Sequence, residues 1–298
     1  MRIGIVTPVV ARPPGAHSDW EHRAGIEEVA RVAQAADRLG FHHLTCSEHV
    51  AVPAAQAALR GSAYWDPLAT FGHLAAHTER IRLATQVLVL GYHHPLEIAK
   101  RYGTLDRISG GRLTLGLGVG SLEEEFTLLG AHYQDRGARA DEALAALRAS
   151  MSRPEPRFHG RFHDYDGFVV EPHAQQERVP FWIGGRTQRS LRRAVEHGDG
   201  WVPFGLSHTE LERMLTATER PAGFEVVLSA GTRLDPGGAP EKVRRALRNT
   251  RRTGATIANV GLAADDADHY IAQLEDLRAL SEGLWTEPAE EPFGEEAR

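Results

Sequence analysis

Eight short apolar runs alternate with eight helix-like segments along this chain, and that repeat constrains the fold more than any other feature. The runs lie at residues 3–9, 43–48, 82–89, 113–118, 181–184, 200–203, 225–230 and 257–261. Most are rich in Val, Ile and Leu. Several are apolar throughout, as strands covered on both faces of a parallel sheet are. Between them, apolar residues at helical spacing predict helices over 21–39, 66–77, 95–109, 138–150, 187–197, 210–219, 241–253 and 265–280. Gly40 stops the first of these, and Asp66 with Pro67 opens the second as N-cap and first helical residue. Strand then helix, eight times over, is the pattern of an α/β (β/α)8 TIM barrel. An open doubly wound sheet would carry a Gly-rich fingerprint after its first strand. The loop from Thr7 to Gly15 carries none.

About 250 residues is typical of a barrel, and the chain has 298. A tail and one insertion account for the excess. Residues 1–285 are expected to form a single barrel domain. The small insertion falls between the fourth and fifth strands, where Phe158, Gly160, Phe162 and Asp164 alternate as in a hairpin. Residues 286–298 hold five Glu against one Arg and are expected to form an acidic, disordered tail. That tail supplies most of the net charge of −6, so the body is near neutral, and no basic stripe suggests nucleic acid. No apolar run approaches the roughly 18 residues a membrane helix needs. The first residues enter a strand directly, without a leader pattern, which gives a cytoplasmic protein as the expectation.

In a barrel the chemistry belongs at the C-terminal ends of the strands. Glu48 and His49 end the second strand as a possible acid–base pair, or as a rim pair that only satisfies backbone groups. Gly184, Gly185, Arg186 and Thr187 lead from the fifth strand into a helix. Glycines allow close backbone approach and a helix start binds anions; equally, Thr187 caps that helix with no ligand at all. Gly118, Val119 and Gly120 end the fourth strand, followed by Glu123, Glu124 and Glu125 in a first helical turn. These glycines either leave room for a flat ring or relieve crowding. His93 and His94 precede Pro95, so one of them is available to cap a helix. Sixteen His invite a metal-hydrolase reading, but the first strand ends without His-x-His and no His-Glu-x-x-His occurs. No metal site is expected. Cys46, the single cysteine, reads as a small buried hydrophobe.

At this point the sequence resembles the bacterial-luciferase-like family of flavin- and deazaflavin-dependent oxidoreductases, from Arg2 to about Leu280. Four stretches carry the resemblance. They are Ile81 to Leu90 with His93 to Lys100, Leu105 to Leu113 leading into Gly116 to Gly120, Phe158 to Asp164, and Phe181 to Gly185 with Asp199 to Pro203. The resemblance implies a flat tricyclic cofactor across the barrel mouth. It places the cofactor phosphate at Gly184, Gly185, Arg186 and Thr187, and the ribityl chain along Gly118, Val119 and Gly120. It also implies a bulge at Gln86–Val87 behind the ring, often with a cis peptide, and Glu48 with His49 beside the ring.

The pattern is most similar to the deazaflavin branch, which uses coenzyme F420; FMN is the competing cofactor. Members that oxidise sugar phosphates carry a Glu after the fourth-strand glycines, and Ser121 stands there instead. The expected activity is hydride transfer between coenzyme F420 and a small organic substrate. His49 would handle the proton, Glu48 would set its position, and Trp20, Tyr64, Trp65, Tyr92 and Phe204 would line an apolar pocket. The alternatives are an FMN-dependent monooxygenase served by a flavin reductase, and a non-catalytic ligand-binding barrel. Family habit favours a homodimer.

Overall fold

A computed structural model describes residues 1–284. The expected acidic tail at 286–298 lies outside the described residues. The strands are β1 (Arg2–Ile5), β2 (His43–Cys46), β3 (Arg82–Thr85), β4 (Leu88–Val89), β5 (Leu113–Gly118), β6 (Phe158–His159), β7 (Asp164–Tyr165), β8 (Phe181–Gly184), β9 (Gly200–Val202), β10 (Glu225–Leu234) and β11 (Ile257–Leu262). The helices are α1 (Ile26–Arg38), α2 (Ala57–Arg60), α3 (Pro67–His77), α4 (Pro95–Ile108), α5 (Glu123–Leu128), α6 (Arg136–Ser150), α7 (Gln188–His197), α8 (His208–Thr216), α9 (Pro240–Arg252) and α10 (Ala267–Leu280).

The strands close on themselves. β2, β1, β11, β10, β9, β8 and β5 pair in turn, and β3 joins β2 to β5. Every pairing within the barrel is parallel, and β11 returns to β1 with Val260 opposite Ile5. β3 and β4 are two halves of one barrel strand, parted at a cis Gln86–Val87 peptide. The result is an eight-stranded (β/α)8 barrel. β2, β5 and β11 are buried along their whole length, which is why their sequences do not alternate. The helices bury one stripe each; α1 turns Val29, Val32, Ala33 and Ala36 inward. No helix among the described residues is long and apolar enough to cross a membrane.

The expected insertion is present. β6 and β7 form an antiparallel hairpin. The Glu142 carboxylate on α6 accepts the backbone N–H groups of Arg161, Phe162 and His163, which anchors the turn. The hairpin thereby sits beside the start of α4, with His163 against His94.

Two of the boundary shifts share one physical reason. The first strand stops at Ile5, not Val9, and Val9 adopts φ 74°. The first helix starts at Ile26, preceded by a short 3-10 turn over Asp19–His22. Glu21 connects the two. Its buried carboxylate accepts the N–H groups of Val9 and Ser18, each at 2.7 Å, so it serves the strand loop instead of a helix. Gly25, with its N–H on Glu28, then caps α1.

Candidate active site at the barrel mouth

The C-terminal ends of β2, β4 and β5 build one corner of the mouth. The Ser47 hydroxyl donates to the Gln86 carbonyl at 2.7 Å, and the Gln86 N–H donates to Cys46 at 2.8 Å. Across the barrel the Asn259 amide donates to Gln86 Oε1 at 2.5 Å. These bonds hold the expected bulge. Val87, just past it, projects its isopropyl group between Gly118 and Gly184. A Cβ at either glycine would lie 2.6 Å or 2.9 Å from it. Both glycines therefore make room for this chain's own side chain. Gly120 does the same for the ring of Phe126.

Above the bulge lie two carboxylate–imidazole pairs. Sequence reasoning joined Glu48 to His49; the structure pairs each with another residue. Glu48 Oε1 meets His93 Nε2 at 2.7 Å, and Glu48 Oε2 accepts the Val89 N–H at 2.7 Å. His49 Nδ1 instead meets Glu125 Oε2 at 2.8 Å. Glu48 and His49 both lie in the loop just past β2, where Glu48 turns toward β4 and His49 toward α5. Tyr92 Oη also donates to Glu125 at 2.8 Å, and the Tyr64 ring packs edge-on against His49 at 4.6 Å.

The electrostatics follow the pairing. Burial pushes the Glu125 carboxyl up, but hydrogen bonds from His49, Tyr92 and Ala51 outweigh it and hold the group below the usual carboxylate range. Burial pushes His93 down, while its bond and charge contact with Glu48 more than reverse this and raise it. Burial raises the Tyr92 hydroxyl, with Glu125 adding to the effect, so that phenol stays protonated.

On the far side of the mouth, Gly185, Arg186 and Thr187 open α7. Thr187 and Ser190 cap one another, as the capping reading anticipated. Gly185 sits at φ 138°, and a Cβ there would lie 2.6 Å from Ser190. Arg186 and Thr187 remain exposed, and among the described residues Arg186 faces the Phe204 ring and no carboxylate. A helix start with an uncommitted guanidinium beside it is a donor set that suits a phosphate group. Both flavin-type cofactors carry one, so these residues fit either.

The other expected residues divide. Trp20 is buried against Tyr270, and Phe204 is exposed. His94 caps α4 by accepting the Leu96 N–H. Cys46 is buried within β2, and burial pushes its thiol up to about 12. Among the described residues no group of three or more candidate ligands is placed to hold a metal. Two functional residues escape the sequence pattern: Glu125 reads as one of three first-turn acids and His93 as a helix neighbour. The one signal is apolar context: Glu125 stands between Leu122 and Phe126, both buried, whereas Glu123 and Glu124 are exposed.

Comparison with known proteins bears on this geometry. A family model described as luciferase-like monooxygenase matches residues 1–230. The 4-hydroxyprotoasukamycin monooxygenase of Streptomyces nodosus subsp. asukaensis is 33% identical over 182 residues, spanning 59% of this chain and 46% of that protein. Among solved structures, monooxygenase RslO1 from Streptomyces bottropensis superposes with a TM-score of 0.77 at 22% identity, covering 96% of this chain and all of that one. An F420-dependent secondary alcohol dehydrogenase, in complex with an F420-acetone adduct, gives 0.72 at 14% identity over 94% of this chain and 98% of its own. The FMN-bound oxygenating constituent of 3,6-diketocamphane monooxygenase from Pseudomonas putida gives 0.70 at 16% identity over 97% and 99%. At these identities the likeness is one of fold.

Proposed function

This chain belongs to the luciferase-like monooxygenase family of oxidoreductases, and from that premise we propose that it transfers a hydride between coenzyme F420 and a small organic substrate. The observation that supports the reading most is an imidazole at the mouth, His49, with one nitrogen held by Glu125 and no partner for the other among the described residues. Hydride transfer to a carbonyl carbon leaves an oxygen that must gain a proton; the reverse direction requires the hydroxyl to lose one. His49 is the group for that proton. Gly185, Arg186 and Thr187 would hold the cofactor phosphate, and Gln86 and Val87 would back the ring. Gly118, Val119, Gly120 and Gly184 would shape the edge of the cleft. The cofactor, when bound, supplies the redox chemistry; the protein binds and orients it and moves the proton.

A second reading is an FMN-dependent monooxygenase fed by a flavin reductase. The likeness to the 4-hydroxyprotoasukamycin monooxygenase and to an FMN-bound oxygenase favours it. Titration of cofactor-free protein with coenzyme F420 and, separately, FMN separates the two. Binding of the deazaflavin alone, read by fluorescence, supports the first; preference for FMN, with substrate-coupled oxygen uptake, replaces it. Binding of neither points to a ligand-binding barrel without catalysis. Substitution His49→Ala should then lower turnover by about a hundredfold while leaving cofactor affinity in place. Unchanged turnover removes His49 from the mechanism. The same proposal takes the protein to be a cytoplasmic homodimer, which sedimentation of the full chain tests for its assembly.

A further inference from the structure

We propose that Glu125 is the positioning residue of this site: it locks His49 in the Nδ1–H tautomer, so that Nε2 carries the lone pair. Four donors divide over one buried carboxylate. Oε1 accepts the backbone N–H groups of Val50 and Ala51 at 2.6 and 3.1 Å. Oε2 accepts the Tyr92 hydroxyl and meets His49 Nδ1, both at 2.8 Å. Glu125 is only 1% exposed. An ionised carboxylate only accepts hydrogen bonds, so the proton of a neutral His49 must sit on Nδ1. The four donors themselves favour the ionised form.

Three further observations sharpen the assignment. The donors come from the loops after β2 and β4, while Glu125 stands on α5 after β5, so one carboxylate ties together three segments of the rim. Tyr64 packs edge-on against the ring and restricts its rotation. The other mouth histidine is placed differently: His93 faces Glu48 through Nε2 at 2.7 Å and Glu97 through Nδ1 at 3.7 Å. The Glu97 oxygen lies beyond hydrogen-bond distance, so His93 is held through Nε2, the nitrogen opposite to the one His49 gives Glu125. The two pairs therefore hold their rings through opposite nitrogens, and only in His49 is Nδ1 the nitrogen bonded to a carboxylate. The consequence for turnover rests on the function proposed above; the tautomer does not.

The decisive variant is Glu125→Gln. Two backbone N–H groups already occupy the Oε1 position, so the amide oxygen stays there and the NH2 replaces Oε2. That NH2 donates to His49 Nδ1, and the ring must carry its proton on Nε2 instead. The experiment is nitrogen-15 NMR of histidine-labelled full-length protein without cofactor, at a pH where the ring is neutral, with His49→Gln used to assign the signals. Wild type should show a protonated Nδ1 and a bare Nε2, and Glu125→Gln should exchange them. Tyr92→Phe, which removes a donor from the same oxygen, should leave the wild-type tautomer in place; a merely structural carboxylate would not separate these two variants. A wild-type ring protonated on Nε2, or a tautomer unmoved by Glu125→Gln, overturns the proposal. Turnover in Glu125→Gln should fall by about a hundredfold with cofactor affinity unchanged, and Glu125→Asp should recover part of it. If the tautomer exchanges but no cofactor supports turnover in wild type, the functional reading fails and the positioning role stands.

Discussion

The barrel carries histidines at both ends, buried at the N-terminal end and half-buried at the mouth, and the two ends treat them in opposite ways. At the N-terminal end His42 and His43 lie together, with His42 bonded to Arg2 and both rings packed against Trp182. Burial first, then the nearby Arg2 and Arg82, pushes His43 down to about 3; burial, then His43 and the same two arginines, holds His42 well below its ordinary value. Both stay neutral. At the mouth, His49 and His93 face Glu125 and Glu48. There the Glu48 carboxylate outweighs desolvation, and His93 is raised. A histidine in a barrel is thus not informative by itself. Its neighbours decide whether it is fixed as a neutral packing group or kept able to exchange a proton. Burial, reinforced by arginine neighbours, gives the first outcome; at His93 a carboxylate neighbour outweighs burial.

The largest expected effect breaks the mouth and spares the other end. A Cβ at Gly116 would lie 1.9 Å from the Thr85 carbonyl oxygen, a backbone atom next to the bulge that cannot swing aside. Substitution Gly116→Ala should cost about 3 kcal/mol or more by urea denaturation. Its response to acid should match wild type, because His42 and His43 are untouched. A silent Gly116→Ala would show that the bulge yields easily.

The next effect tests the N-terminal end. A histidine whose folded value lies below its unfolded one contributes stability above about pH 6.5, and loses it as pH falls toward the folded value. For His43, with a folded value of about 3, lowering the pH to 5 should cost about 2 kcal/mol. Denaturation midpoints at pH 7 and pH 5 measure this. The variant His43→Leu should flatten the dependence, and an equal slope in wild type and variant would remove His43 as its source.

The smallest effect has the opposite sign. His93 is raised in the folded state, so its pairing with Glu48 stabilises most below the unfolded value and fades as pH rises through the folded one. Glu48→Gln should therefore weaken the protein by roughly 1 kcal/mol near pH 6 and by less at pH 8. A loss that grows with pH would reverse the comparison between the two ends.

Much of the barrel was legible because its signals are local. Alternating strand and helix periods marked the eight units. Asp66, Thr187 and Gly40 marked helix ends, and each occupies the expected position. The hairpin at Phe158 to Tyr165 was visible in its alternation, and the resemblance located the bulge at Gln86–Val87. The mouth was legible only as a set of strand ends. That Glu48 and His49 stand at the rim followed from their position in the chain; which partner each takes did not.

The sequence by itself determined the succession of elements, because hydrophobic period, caps and turn residues act over a few positions. Tertiary structure alone decided the partners. His49 and Glu125 are 76 residues apart, Glu48 and His93 are 45 apart, and Asn259 reaches Gln86 across 173. Such pairs form only when the sheet closes and sets the loops after β2, β4 and β5 side by side. Closure also makes Glu21 a loop anchor and makes Gly118 and Gly184 the walls around Val87. Side-chain direction at a strand end and the register of parallel neighbours are properties of the closed barrel, and no local stretch of sequence carries them.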